Sequence, residues 1–363
     1  MSEQKNLIIA IVCSLVILLG FQFFYEFPKL EAERARQAEI AAQQPVGNTD
    51  TGTAPAVPGS SSAPQAPGTN LATSAADPAV ERAKALADTP RITIDTPNIA
   101  GSIALRGGHV DDIVLKRYRE SLDEDSDQIH LLQPLRAPKS YYAEFGWVSD
   151  SGITLPNANT LWQTTNSSLR PDSPIVLTWD NGGGQRFEII YQIDDDYMIT
   201  VDQKMINSSD QNVTVYPYGF LSRGGTPDIL GFYILHEGPL GVFNETLTEV
   251  DYDTLQEDGK VEAESVGGWI GITDKFWLAA LIPAQKDTYK YRFSHRIANQ
   301  DDRYQVDYLG GKITAAANGG AAATSTKLFA GAKEVEVLDK YAESDAIDKF
   351  DLAIDFGWFY FLT

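Results

Sequence analysis

Between Ile175 and Leu221 the chain repeats one pattern: a run of β-branched and aromatic residues, then a cluster of Asn, Asp, Gly or Ser. IVLTW (Ile175 to Trp179) leads into Asp180-Asn181-Gly182-Gly183-Gly184. RFEIIYQI (Arg186 to Ile193) leads into Asp194-Asp195-Asp196, and YMITVDQKMIN (Tyr197 to Asn207) into Ser208-Ser209-Asp210. NVTVYPYGFL (Asn212 to Leu221) completes the series. Such runs, punctuated by turn residues, mark an antiparallel meander. RITID (Arg91 to Asp95), GSIAL (Gly101 to Leu105) and HVDDIVL (His109 to Leu115) continue it upstream around Gly107-Gly108. Long strands with few helices over residues 91–332 predict a mainly β domain, one large sandwich of two antiparallel sheets.

The densest apolar run inside that domain is GGWIGITDKFWLAALIP, Gly267 to Pro283. It is slightly short for a membrane span, and Asp274-Lys275 would sit at mid-depth, where charge is expensive. Two strands buried on both faces, VGGWIGIT and FWLAALIP, about a turn at Thr273-Asp274-Lys275 explain it better. Trp269 and Trp277 are then expected to anchor the core. Asp274 and Lys275 are expected as an exposed ion pair at the turn. A membrane segment and a ligand site are the competing readings.

The N-terminus carries a different signal. Leu7 to Tyr25 has no charged residue. At ~1.5 Å per residue it spans ~28 Å, close to the hydrocarbon core of a bilayer. Phe21, Phe23, Phe24 and Tyr25 form an aromatic end suited to an interface. A cleaved signal peptide is the alternative, but no small-x-small cleavage pattern follows the run. Cys13 lies mid-span after Val12, which does not fit a lipoprotein cysteine. Residues 1–6 are thus a short head and 7–25 an uncleaved anchor. Lys5 precedes the span and Lys29, Arg34 and Arg36 follow it. Counting Lys and Arg favours the opposite topology, so charge alone leaves the orientation open.

Residues 26–90 read as a tether. Pro28 to Gln44 is charged and Ala-rich; from Pro45 to Pro90, prolines recur among Ala, Gly, Ser and Thr with hardly a large apolar residue. Such a segment cannot bury enough surface to offset the entropy of ordering. As a coil, residues 45–90 would separate their ends by roughly 40 Å. Pro28 to Gln44 can continue the span as a helix, and Ala79 to Ala87 is a short helix expected within the Pro-rich part.

A net charge of −21 excludes phosphate-backbone recognition, so no nucleic-acid partner is expected. It also argues against a polybasic grip on anionic lipid. Cys13 is the only cysteine, which excludes a disulfide framework and a Cys-based zinc site.

Four stretches together resemble one family. GGWIGITDKFWLAALIP resembles the GGW-hydrophobic-G-hydrophobic-TDKYW-x-x-ALIP signature of the YidC-type membrane protein insertases of the Oxa superfamily, with Phe276 where the family has Tyr. HEGPLGVFNETLTEVDY (His236 to Tyr252) resembles its HEGP-hydrophobic-GVFNG segment, and GGHVDDIVLKRY (Gly107 to Tyr118) its first Gly-Gly strand pair. LFAGAKEVEVLDKY (Leu328 to Tyr341) with FDLAIDFGWFYFLT (Phe350 to Thr363) resembles the join between periplasmic domain and second span. The resemblance covers the anchor and nearly all of residues 91–363.

The resemblance implies a bacterial inner-membrane insertase and folding chaperone, working alone or beside the Sec translocon. Its first span would be N-in, with residues 26–350 periplasmic and the domain a β-supersandwich similar to galactose-mutarotase-like folds. Inner-membrane lipid, nascent membrane proteins and Sec translocon components are the partners it implies; no cofactor and no enzymatic turnover are expected. The family's five-span bundle with its polar, Arg-bearing groove would follow Thr363. No groove residue can therefore be carried over, and the chain is expected to be the N-terminal part of a longer protein. The structural motif residues carried over are Gly267, Gly268, Trp269, Asp274, Lys275 and Trp277.

At the C-terminal end, Val335, Leu338, Ala342 and Ala346 can share a helical face over residues 333–349. From Phe350 the run turns aromatic, and Phe356, Trp358, Phe359 and Phe361 suit a membrane interface at the start of a second span, 350–363. The reading is an amphipathic helix that leaves the sandwich and lies on the bilayer; a helix covering a sheet edge is the alternative.

Other motifs are weaker. A sugar mutarotase would need a His pair and a Glu in a cleft, and only His236-Glu237 is a local His-acid pair among His109, His130, His236 and His295. Asp194-Asp195-Asp196 reads as a solvated turn rather than a calcium loop. Ser222-Arg223-Gly224-Gly225 reads as a Gly-rich loop without the following helix a phosphate cradle needs. Besides the insertase reading, a tethered periplasmic binding module and a carbohydrate-acting enzyme remain as function classes.

Overall fold

The computed structural model describes residues 63–66 and 78–354, except 124, 228–234 and 299. The expected head 1–6, the span 7–25, its helical continuation over 28–44 and the aromatic residues Phe356, Trp358, Phe359 and Phe361 lie outside the described residues. Among the described residues no helix is long and apolar enough to cross a membrane.

The order begins with α1 (Pro78–Ala87), β1 (Arg91–Asp95), β2 (Ile99–Ala104), β3 (Val110–Arg119), β4 (Gln128–Leu132), β5 (Tyr141–Val148) and β6 (Ser168–Leu169). The meander follows as β7 (Ile175–Asp180), β8 (Gln185–Ile193), β9 (Met198–Asn207) and β10 (Val213–Gly224). Next come β11 (Gly238–Phe243), β12 (Thr246–Glu249), α2 (Tyr252–Asp258), β13 (Lys260–Val266), β14 (Trp269–Thr273) and β15 (Trp277–Pro283). The last elements are β16 (Thr288–Ala298), β17 (Asp301–Gly310), β18 (Ile313–Ala315), β19 (Gly320–Ala332), α3 (Val335–Ser344) and a 3-10 turn at Phe350–Ala353.

The strands form two sheets. The larger has 11 strands in the path β13-β16-β17-β10-β5-β3-β2-β1-β6, with β18 beside β10 and β4 beside β3. The smaller has eight, in the order β12-β11-β14-β15-β19-β9-β8-β7. Among the described residues every strand pairing is antiparallel except β1 with β6. The mainly β, two-sheet architecture is the one the alternating runs predict.

The meander shows why. In β8, Phe187, Ile189, Tyr191 and Ile193 turn inward while Arg186 and Gln192 are exposed. The β8–β9 register sets Phe187 opposite Met205 and Tyr191 opposite Val201, so both strands offer one apolar face to the core. Two polar groups that enter this core find partners across the sheets. Gln203 Nε2 donates to the Gly146 carbonyl of the other sheet at 2.6 Å, and the Tyr191 hydroxyl to Gly108 at 2.9 Å.

The C-terminal helix keeps only part of its expected face. Leu338 is buried as expected and Tyr341 joins it, whereas Val335 is exposed and Ala346 falls after the helix with φ +50°. Helix α3 and the 3-10 turn cover the outer face of the smaller sheet. Tyr341 and Phe350 each meet Phe329 edge-on, at 6.0 and 5.5 Å between ring centroids. The Tyr341 hydroxyl donates to Asp194 at 2.5 Å and Lys340 pairs with Asp196 at 2.7 Å. Two carboxylates of the turn read as solvated thus tie the helix down. The apolar side predicted to lie on a bilayer is here turned to the sheet.

Two stretches of the expected tether also rest on the domain. Helix α1 covers the short helix expected at 79–87, and its Arg82 pairs with Asp112 and donates through Nε to Gln133 at 3.1 Å. Residues 63–66 are held as well, with Ala63 and Ala66 buried. The expectation from composition counted only large apolar side chains. In residues 63–66 small residues let the backbone approach the sheet, and side chains of the sheet hold its carbonyls and one N–H; helix α1 is held through Arg82.

A fragment of residues 78–354 is therefore expected to melt above one of residues 91–349. The longer fragment keeps Phe350, which is fully buried. Burying one such ring is worth ~1.5–3 kcal/mol, or roughly 5 °C in a domain of this size. Calorimetry of the two fragments checks this, and equal melting temperatures would show that the helical flanks add nothing to stability.

Candidate functional site

Two places gather the chemistry-bearing side chains. The first is the end of the sandwich where the signature hairpin turns. Strands β14 and β15 pair from Ile270–Leu281 to Thr273–Leu278, with nearly every residue buried, as the hairpin reading expects. Gly267 and Gly268 enter it with φ of +62° and +87°. A Cβ on Gly268 would lie 2.1 Å from the Val242 carbonyl oxygen, so only glycine fits there. Trp269 is fully buried, with its ring edge-on to Phe350 at 5.4 Å. Trp277 is only half-buried, edge-on to Tyr118 at 5.0 Å.

The expected exposed Asp274–Lys275 pair is not what the turn holds. Asp274 pairs with Arg223 Nη1 at 2.7 Å. Arg223 lies on β10 of the larger sheet, so the ion pair ties the two sheets together. Its guanidinium lies over the Tyr141 ring at 5.0 Å and donates to the Tyr252 hydroxyl at 3.3 Å. Residues Ser222–Gly224, read as a Gly-rich loop, are thus part of a strand. The Lys275 N–H donates to Glu237 at 3.1 Å, and its ammonium lies over the Phe276 ring at 4.9 Å. Two motif stretches some forty residues apart, around Glu237 and around Lys275, meet at this turn. Proximity of the two sheets decides these partners, and no spacing in the sequence announces them.

The second place is the outer face of the larger sheet. Register aligns Glu144, Phe220, Asp307 and Arg292 in one row across β5, β10, β17 and β16. Tyr142, Ser222, Gln305 and Ser294 form the next row. All eight are buried although they point away from the core between the sheets. Arg292 donates to Asp307 Oδ2 through Nε at 2.9 Å and Nη2 at 2.7 Å, and Gln305 Nε2 adds 2.9 Å to the same oxygen. Burial pushes the Asp307 carboxyl up to about 6, against the pull of Arg292.

Beside them, His109 Nε2 and the Tyr218 hydroxyl both meet the Glu144 carboxylate, at 2.9 and 3.0 Å. Burial opposes charge on His109, but its hydrogen bond and attraction to Glu144 outweigh this and raise its pKa above the usual value. The four histidines stand on separate elements: His109 ahead of β3, His130 on β4, His236 ahead of β11 and His295 on β16. Among the described residues no group of three or more His, Cys, Asp or Glu is placed to hold a metal ion. Sequence reasoning missed Arg292, Gln305 and Asp307. The one signal in the sequence was Glu144 inside the otherwise apolar run of β5; the polar run of β17, DDRYQVDYLG, gives none for Asp307.

Comparison with known proteins gives one consistent family. The YidC periplasmic domain family matches residues 91–363. A membrane protein insertase YidC from Methylobacterium radiotolerans is 43% identical over 377 residues, covering 100% of this chain and 60% of that protein. A membrane protein insertase YidC from Bradyrhizobium diazoefficiens is 42% identical over 377 residues, covering 100% of this chain and 61% of that protein. The chain thus spans about three-fifths of the length of these relatives. Among solved structures, a galactose mutarotase related enzyme from Lactobacillus acidophilus aligns at a TM-score of 0.45 with 10% identity, over 66% of this chain and 97% of that one. A likeness of that size carries no argument about activity.

Proposed function

The chain belongs to the YidC periplasmic domain family, and from that premise we propose that it is the N-terminal part of a membrane protein insertase and chaperone. Residues 7–25 anchor it in the bacterial inner membrane with the N-terminus inside, in a protein that is multi-pass at full length. Residues 26–350 stand in the periplasm as a docking and scaffolding domain without turnover. Nascent membrane proteins and lipid are its partners, with the Sec translocon as a co-worker. The observation that carries this reading is identity above 40% along the whole chain to proteins named as insertases. The signature hairpin supports the non-catalytic role. Gly268, Trp269 and Asp274 serve a close approach, a buried ring and a sheet-to-sheet ion pair, and each has a structural partner.

Topology tests the proposal. Alkaline phosphatase fused after Gly101 is expected to be active, and a reporter that works only in the cytoplasm is expected to be silent at the same point. The reverse result would overturn the orientation and the insertase reading with it. Depleting the full-length protein in its host is expected to leave inner-membrane proteins uninserted.

A further inference from the structure

The outer face of the larger sheet already carries a peptide, the chain's own residues 63–66. Ala63-Pro64-Gln65-Ala66 forms neither helix nor strand, yet four of its backbone groups are held by side chains of the sheet. Arg292 Nη2 donates to the Ala63 carbonyl at 2.8 Å. Gln305 uses both ends of its amide: Nε2 donates to the Pro64 carbonyl at 2.9 Å, and Oε1 accepts the Ala66 N–H at 2.7 Å. Arg296 donates to the Ala66 carbonyl. The side-chain methyls of Ala63 and Ala66 are buried, 3% and 4% exposed, among Tyr142, Val148, Tyr218, Phe220 and Leu309. Gln65 points to solvent.

These contacts define a ligand. Gln305 reads a carbonyl and an N–H two residues apart, which is main-chain recognition indifferent to the side chain between them. The aromatic walls admit only small residues at the first and last positions. Proline at the second offers no N–H that would need a partner and stiffens the peptide before it binds. The readers are held in advance, because Arg292 and Gln305 are both fastened to Asp307, which is fully buried. Two methyls and a few hydrogen bonds are little to set against the ordering of four residues. The segment gains from being tethered, which gives it an effective concentration of order millimolar.

We propose that this face is a binding site for short peptides of the form small-Pro-x-small, and that residues 63–66 fill it as an internal ligand which such a peptide of another protein displaces. The site lies apart from the signature hairpin and does not depend on the insertase reading.

Fluorescence anisotropy of a labelled peptide with the sequence of residues 60–69, SSSAPQAPGT, tests it. The detergent-solubilised chain is compared with the chain lacking residues 60–69 and with the chain carrying Ala66→Trp. Both altered chains are expected to bind the peptide at least ~10-fold more tightly than the intact chain, since their site is no longer filled in cis. Gln65→Ala in the peptide should keep binding, and Ala66→Trp in the peptide should abolish it. Gln305→Leu in the deleted chain should abolish it as well. If the deleted chain loses its cooperative melt, the Ala66→Trp chain decides alone. Equal binding by intact and altered chains, no binding by any of them, or undiminished binding of the Ala66→Trp peptide would each overturn the proposal.

Discussion

Trp269→Ala is expected to destabilise the domain by ~3–5 kcal/mol, the usual cost of truncating a large buried aromatic, which corresponds to a fall of roughly 10 °C in Tm. Trp269 lies beneath the 3-10 turn, fully buried, on the outer face of the smaller sheet. Its removal opens a cavity between β14 and Phe350 that the strand backbone cannot close. Its indole N–H has no hydrogen-bond partner among the described residues, so truncation strands no polar group and the loss is one of packing. Trp277→Ala is expected to cost about half as much, because Trp277 is already partly exposed and its ring contacts include Tyr118 at the rim. Thermal melts of the two variants in the 78–354 fragment give the ranking. An unchanged Tm for Trp269→Ala would mean that the C-terminal helical segment does not cover this ring.

Asp274→Ala is expected to cost ~2–3 kcal/mol, below the full penalty for breaking a buried pair because both groups keep some exposure. Asp274 and Arg223 have side chains 22% and 15% exposed, so removing the carboxylate leaves a guanidinium largely shielded from water and without its counter-charge. Arg223→Met added to Asp274→Ala should recover part of the loss, since no unpaired charge then remains between the sheets. Lys275→Ala should cost under ~1 kcal/mol, because its side chain makes a surface contact with Phe276 and its backbone N–H keeps Glu237. Urea denaturation of the three variants measures these differences. A neutral Asp274→Ala would show that the sheets are held at this end without the ion pair.

Much of the fold is written locally. The four runs from Ile175 to Leu221 became β7 to β10 because alternation and turn residues act within a few positions. The hairpin at Gly267 to Pro283 was legible for the same reason, with paired glycines where φ is positive and a polar break between two apolar strands. The C-terminal helix was legible in kind and only partly in face. A uniform helical period pointed to Val335, Leu338, Ala342 and Ala346; Leu338 is buried as expected, whereas Val335 is exposed, Tyr341 is buried instead and the helix stops at Ser344. The outer-face site was not legible. Arg292, Gln305 and Asp307 look like ordinary strand residues until β16 and β17 lie side by side and residues 63–66 lie on them.

The sequence by itself determined the strands, the turns between them, the need for a two-sided core and the family, because each of these rests on neighbours in the chain or on contiguous motifs. The tertiary structure alone decided that Asp274 pairs with Arg223 rather than Lys275, that Trp269 packs under Phe350, and that four residues of a proline-rich segment sit on an aromatic sheet face. Those outcomes turn on which distant groups come within a few ångströms in a medium too dry to leave charge or backbone amides unmatched, and a one-dimensional pattern carries no such distances.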